Sequence, residues 1–321
     1  KLKNRNSRGD GKGGSHTKNR FFTAFWEKSR TECVKMGLAH EKTSYLQKKA
    51  NLFEIGSTEK GKQLVKINNL EQFLAKTASG KSAAGIVITS HDAAISELAA
   101  DCGFDFVWLD MEHSPLTIVD AMHHVMALRG TDCAPFIRVA WNVPYLLKPV
   151  LDLAPAAVIV PMVNNAREAE AAIRACRYPT EDGERGFAMR RANGYDRDPL
   201  EMYLETSRRE PLVFIQIEHR EAVRNIDEIL RVDGLGGICI GPCDLSASYG
   251  KTGRFDDPEV AGAIDLVRER ALEAGVLLGG FCAGPFWRAR FMNWKALGSD
   301  TGLLAAAARR QLERHRSDRT F

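Results

Sequence analysis

The run Val107-Trp108-Leu109-Asp110-Met111-Glu112-His113 decides the fold: a short apolar stretch of strand composition that closes on two acids and an imidazole. Three other runs share the plan, Phe136-Ile137-Arg138, Val213-Phe214-Ile215-Gln216-Ile217-Glu218 and Gly237-Ile238-Cys239-Ile240-Gly241-Pro242-Cys243-Asp244. In a parallel barrel the carboxyl ends of all strands open on one mouth, so side chains as distant in sequence as Asp110 and Asp244 can meet there. The pattern reads as an enzyme.

Working outward, regular structure is expected from Asn69, a candidate cap for a helix that Gly80 closes. Strands are expected at Gly85–Thr89, Phe106–Leu109, Phe136–Val139, Ala157–Val160, Leu212–Ile217, Gly237–Ile240, Val276–Leu278 and Lys295–Leu297. Helical patterns separate them: Asp92 to Cys102, one opened by Ser114 and Pro115, one from Asn142-Val143-Pro144, one capped at Asn164, and one from Asp257-Pro258-Glu259 to Gly275. Eight alternating units over about 240 residues fit a (β/α)8 TIM barrel better than an open sheet. Residues 180–210 form a long polar excursion of the kind that lines such a mouth.

The chain has 321 residues, 44% of them hydrophobic, and no apolar run approaches a membrane span. Its net charge of +4 is unevenly distributed. Residues 1–66 hold 16 Lys/Arg against 6 Asp/Glu, which leaves the body mildly acidic. Residues 1–66 read as a basic, disordered leader and 67–321 as the barrel with a C-terminal helix. The chain starts on Lys1 and its first methionine is Met36, so residues 1–35 can be upstream sequence. A basic arm for nucleic acid is the rival reading, but no recognised binding module accompanies it and nucleic acid is not an expected partner. Seven widely spaced cysteines without a C-x-x-C pair indicate reduced thiols and a cytoplasmic protein.

Glu218 and Asp244 close consecutive strands, where two carboxylates at matching heights can share a hard divalent ion that also holds substrate oxygens. Asp244 can equally serve as a helix cap. Arg138 either pairs with a barrel carboxylate or faces an anionic substrate, and the two are compatible. Asp110 can orient His113 and raise its basicity, although a lone histidine before Ser-Pro is more often structural. His123 and His124 read as packing or surface. Arg190-Arg191 can neutralise a substrate anion, exposed loop arginines being the commoner case. Gly279-Gly280 and Gly284 lack the G-x-G-x-x-G pattern of nucleotide binding. A Schiff-base mechanism needs a desolvated lysine at a strand end; Lys295 opens its strand at the wrong end.

Taken together, Phe104 through His113, Arg138-Val139-Ala140-Trp141-Asn142, Val160-Pro161-Met162-Val163, Gln216-Ile217-Glu218 and Gly241-Pro242-Cys243-Asp244-Leu245-Ser246 resemble the HpcH/HpaI family of class II pyruvate aldolases over roughly residues 69–310. The resemblance implies cleavage of a 4-hydroxy-2-oxo acid or 2-keto-3-deoxy sugar acid to pyruvate and an aldehyde. It implies Mg2+, Mn2+ or Co2+ on Glu218 and Asp244, His113 as base with Asp110 as its dyad partner, Arg138 steadying the enolate, and Glu112 bonded to metal-bound water. Substrate would be held by Gln216, Gly241 and Cys243, with Asp152 reaching the active site of a neighbouring subunit. A homo-oligomer, commonly a hexamer with an exchanged C-terminal helix, is also implied. Two positions depart from the family: Ala154-Pro155-Ala156-Ala157 replaces a glycine-containing turn, and Val87 stands where many relatives carry Trp. A coenzyme A ester lyase of the citrate-lyase-β or malyl-CoA type is the alternative within the superfamily. A non-catalytic metal-binding scaffold with a nucleic-acid arm is the alternative outside it.

Overall fold

A computed structural model describes residues 67–317; the basic leader lies outside them. Eight parallel strands close a barrel in chain order: β1 (Ala83–Ile88), β2 (Phe106–Asp110), β3 (Ala134–Arg138), β4 (Ala157–Val160), β5 (Leu212–Ile217), β6 (Gly237–Ile240), β7 (Leu277–Phe281) and β8 (Trp294–Ser299). The expected (β/α)8 barrel is therefore the fold. Among the described residues no helix is long and apolar enough to cross a membrane.

The strands read as continuous apolar runs because both faces are covered. One face packs outward: Val107, Leu109, Ile137, Val158, Ile215, Ile217, Ile238 and Ile240 meet the surrounding helices. The other fills the barrel with Phe106, Trp108, Phe136, Phe214 and Trp294, and Phe73 from helix α1 (Leu70–Ala78) closes the floor. The period of two then fixes the site. Phe106-Trp108-Asp110, Phe136-Arg138 and Phe214-Gln216-Glu218 are inward rows whose lower members are aromatic and whose upper members are polar.

Several local expectations are corrected. Asn69 does not cap α1; it sits at φ 56° and its Nδ2 donates to the carbonyls of Leu128 and Cys133 at 3.0 and 2.7 Å. Helix α2 covers Ala94–Asp101. Helix α3 (Ile118–Ala127) starts not at Ser114 but after Thr117, which forms a reciprocal capping box with Asp120. Ser114 instead donates to the Asp110 carbonyl. Helix α4 is Pro144–Asp152, and α5 (Ala166–Cys176) is capped by Asn165 rather than Asn164, through the N–H of Glu168. The 180–210 excursion contains its own helix, α6 (Leu200–Ser207). Two short helices, α7 (Arg220–Arg224) and α8 (Ile226–Ile229), precede β6, and α9 (Pro242–Ser248) follows it. Helix α10 (Pro258–Ala274) begins at an Asp257 cap and ends at Gly275, as the sequence indicates. Helix α11 (Asp300–Ser317) ends the described chain.

Candidate active site

Asp110 and Arg138 are the last residues of β2 and β3 and stand directly opposite in the strand register. Arg138 Nε and Nη2 donate to Asp110 Oδ1 and Oδ2 at 2.9 and 2.7 Å, a bidentate clamp in a buried position. Burial opposes the charge of Asp110, but the bonds and charge of Arg138 and the backbone N–H groups of His113 and Glu112 outweigh it and keep this acid below its ordinary pKa. Burial likewise opposes the Arg138 cation, and Asp110 and Glu112 outweigh it. The expected Asp110–His113 dyad is not made between side chains in this structure: Asp110 Oδ1 accepts from the His113 main-chain N–H at 3.2 Å, and both Asp110 oxygens accept from Arg138.

The imidazole of His113 faces the mouth, 59% exposed, with Nε2 3.6 Å from Asp244 Oδ2 and 3.9 Å from Glu112 Oε2. Glu112 Oε2 also lies 2.9 Å from Arg138 Nη1, yet makes no well-directed hydrogen bond. Burial, with the Asp110 and Asp244 carboxylates adding to it against Arg138, pushes the Glu112 pKa up to about 7.

Glu218 follows β5 and is 1% exposed. Its Oε1 accepts the backbone N–H of Met162 at 2.6 Å and its Oε2 accepts from Gln216 Nε2. Burial raises its pKa to about 7 in spite of those bonds. Gln216 Oε1 in turn lies 3.5 Å from Arg138 Nη1, so the amide ties the acid to the arginine. Gly241 must be glycine: a Cβ there would stand 2.7 Å from Glu218 Oε2 and 3.0 Å from Gln216 Nε2. Asp244 and the exposed Cys243 lie in the first turn of α9, beyond the strand end. The backbone positions of the two acids therefore differ in height along the barrel. Since Ile217 pairs with Ile240, Gly241 is the residue level with Glu218, and Asp244 stands half-exposed above it.

Glu112, Glu218 and Asp244 present acidic oxygens around one mouth; Glu218 is buried and Glu112 largely so, and both gain by compensation of their charge. That donor set suits a hard divalent cation. Among the described residues no three His, Cys, Asp or Glu side chains gather tightly enough to enclose an ion.

Other expected residues fall elsewhere. Asp152 ends α4 with Oδ1 3.9 Å from Arg185 Nη2, apart from the Arg138 cluster. Arg191 is not an exposed loop cation: it is buried, donating to the carbonyls of Leu153, Ile67 and Val125. Arg190 stays exposed. Lys295 donates to the Trp287 carbonyl at 3.0 Å, and no described lysine is buried. His124 is buried and His123 exposed, as packing or surface residues are. Sequence reasoning gave no role to Met162, whose left-handed backbone (φ 53°) turns its N–H onto Glu218. Pro161, directly after β4, was the available sign that the chain turns there.

Comparison with known proteins identifies the family. Residues 83–307 match the family model described as HpcH/HpaI aldolase/citrate lyase. A 4-hydroxy-2-oxo-heptane-1,7-dioate aldolase from Shigella sonnei (strain Ss046) is 37% identical over 242 residues, 74% of this chain and 91% of its own length. A protein of the same name from Klebsiella pneumoniae subsp. pneumoniae is 38% identical over 66% of this chain and 82% of its own. The crystal structure of an HpcH/HpaI aldolase/citrate lyase family protein from Burkholderia cenocepacia J2315 superposes with a TM-score of 0.72 at 27% identity, covering 77% of this chain and 99% of that one. The chain belongs to the HpcH/HpaI aldolase/citrate lyase family and is, with it, a carbon–carbon lyase.

Proposed function

We propose that the protein is a class II pyruvate aldolase that reversibly cleaves a 4-hydroxy-2-oxo acid, of the free-acid or 2-keto-3-deoxy sugar-acid kind, to pyruvate and an aldehyde. The observation that carries this is the buried Arg138 clamp, which turns Nη1 toward Glu112 and the mouth beside Glu218 and His113. The names of the 37–38% identical relatives support the same chemistry. When bound on Glu218 and Asp244, a divalent cation such as Mg2+, Mn2+ or Co2+ would supply Lewis acidity toward the carboxylate and keto oxygens of the 2-oxo acid.

The chain's own residues do the rest. His113 takes the proton of the C4 hydroxyl, its Nε2 lying 3.6 Å from Asp244 Oδ2 and 3.9 Å from Glu112 Oε2. The C3–C4 bond breaks, its electron pair passes to the pyruvyl fragment and the aldehyde leaves. Arg138 offsets the negative charge that develops on the keto oxygen, held for that task by Asp110 before substrate arrives. A proton returned to C3 completes pyruvate. Gln216, Gly241 and Cys243 would line the pyruvate side, the glycine leaving room there for the side chains of Glu218 and Gln216.

We also infer a homo-oligomer in the cytoplasm. Helix α11 buries only Asp300 and leaves Leu303, Leu304 and Leu312 exposed, a face suited to a second copy in which Asp152 meets a neighbour's site. Incubating the Mn2+-supplemented protein with 4-hydroxy-2-oxo diacids and 2-keto-3-deoxy sugar acids, and measuring pyruvate, tests the activity. Release from at least one class is expected; none from either rejects the reading.

A further inference from the structure

We propose that Trp108 is a positioning residue for Arg138, its indole face bracing the guanidinium from inside the barrel. This rests on the reading of Arg138 as the group that meets the developing oxyanion. Trp108 precedes Asp110 by two residues on β2, so its side chain lies in the same inward row, one layer below the clamp. The Arg138 guanidinium carbon stands over the Trp108 ring, 5.0 Å from its centroid. Asp110 holds one edge of that guanidinium through two N–H bonds and Gln216 accepts from Nη1, while Glu112 Oε2 lies 2.9 Å from Nη1 as an ion pair. In-plane bonds leave tilting about the clamp to be limited by what lies on the faces, and Trp108 occupies one of them. The ring's negative face also favours the cation where water is excluded.

The indole is held for this orientation. Trp294 packs against it edge-on, with ring centroids 6.2 Å apart, and Gly279 makes room for Trp294, since a Cβ there would lie 2.0 Å from the Trp294 ring. Trp108 Nε1 has no hydrogen-bond partner, although Trp108 is 2% exposed. A leucine would fill an apolar barrel without that unmet donor. What tryptophan adds here is its face.

The test compares wild type with Trp108→Phe, Trp108→Leu and Trp108→Met, each checked for native far-UV circular dichroism and assayed for pyruvate release with saturating Mn2+. The brace predicts that kcat falls about tenfold in the Leu and Met variants while KM stays within about twofold, and that Phe, which keeps a ring face, retains most of kcat. Wild-type kcat in whichever of Trp108→Leu or Trp108→Met folds overturns it. A second readout needs no turnover. The emission assigned to Trp108, taken as the difference between wild type and Trp108→Phe, should shift when Arg138→Ala is introduced into both; an unchanged difference spectrum overturns the brace. Wild type that releases no pyruvate would reject the proposed function, and the emission measurement would still decide the brace.

Discussion

Arg138 binds Asp110 along one edge and leaves Nη1 for the mouth, so structural and chemical roles coincide in one side chain. Arg138→Ala should lower kcat/KM for pyruvate release by about 10²–10³-fold. Arg138→Lys should recover little of it, because an ammonium cannot span both Asp110 oxygens and still present a donor. Steady-state assays on variants that keep native circular dichroism check both. Glu218→Gln combined with Asp244→Asn should abolish the rise in melting temperature that Mn2+ gives wild type, measured by thermal shift; a retained rise places the ion elsewhere. At this scale the sequence pointed to the residues that line the rim, because each ends or follows an apolar run. It did not identify their pairings. Asp110 and His113 are near in sequence, whereas the partner Asp110 takes is 28 residues away, brought opposite by strand register.

Among the elements, strand positions were legible because runs buried on both faces stay apolar for their whole length. Helix starts were less so. Ser114-Pro115 has the composition of a cap, but Thr117 and Asp120 satisfy each other's main-chain and side-chain groups and win the start of α3. Asn69 likewise found tertiary partners that local reasoning cannot see, the Leu128 and Cys133 carbonyls, while the Asn164 side chain donates back to the Met162 carbonyl instead of capping α5. The turn after α4 holds Ala154 at φ 56°, a left-handed conformation that favours glycine. Ala154→Gly should stabilise the protein by about 1 kcal/mol, relief of the Cβ strain exceeding the added freedom of the unfolded chain. Urea unfolding measures this, and a loss of stability would show that the alanine is unstrained.

Across the whole molecule, closure of the barrel gathers side chains from β2, β3, β5 and the start of α9 on one rim above an aromatic interior. Elsewhere on the scaffold His124 links α3 to α2 and to the loop after β1. Its Nε2 donates to the Ser90 carbonyl, so Nδ1 accepts from Ser96 Oγ, and burial lowers its pKa. The unfolded chain then binds a proton there more readily than the folded one. The contribution of this neutral histidine is complete above the unfolded value of about 6.5 and is lost as pH falls below it. Urea unfolding of wild type and His124→Gln between about pH 5 and pH 8 should show a steeper acid loss in wild type; parallel curves would contradict the neutral buried form. The barrel and its mouth were legible from the alternation of short apolar runs with helical patterns. The height of Asp244 above Glu218 was not, because it depends on where β6 stops and α9 begins.

The account depends on a rim that works with a divalent ion and without a lysine. Its most direct test is the rate of pyruvate release from a 4-hydroxy-2-oxo diacid by chelator-treated wild type, before and after Mn2+ is restored. Release should be absent after chelation and return with Mn2+. Equal release in both conditions, with borohydride trapping a covalent adduct on a lysine, would contradict it.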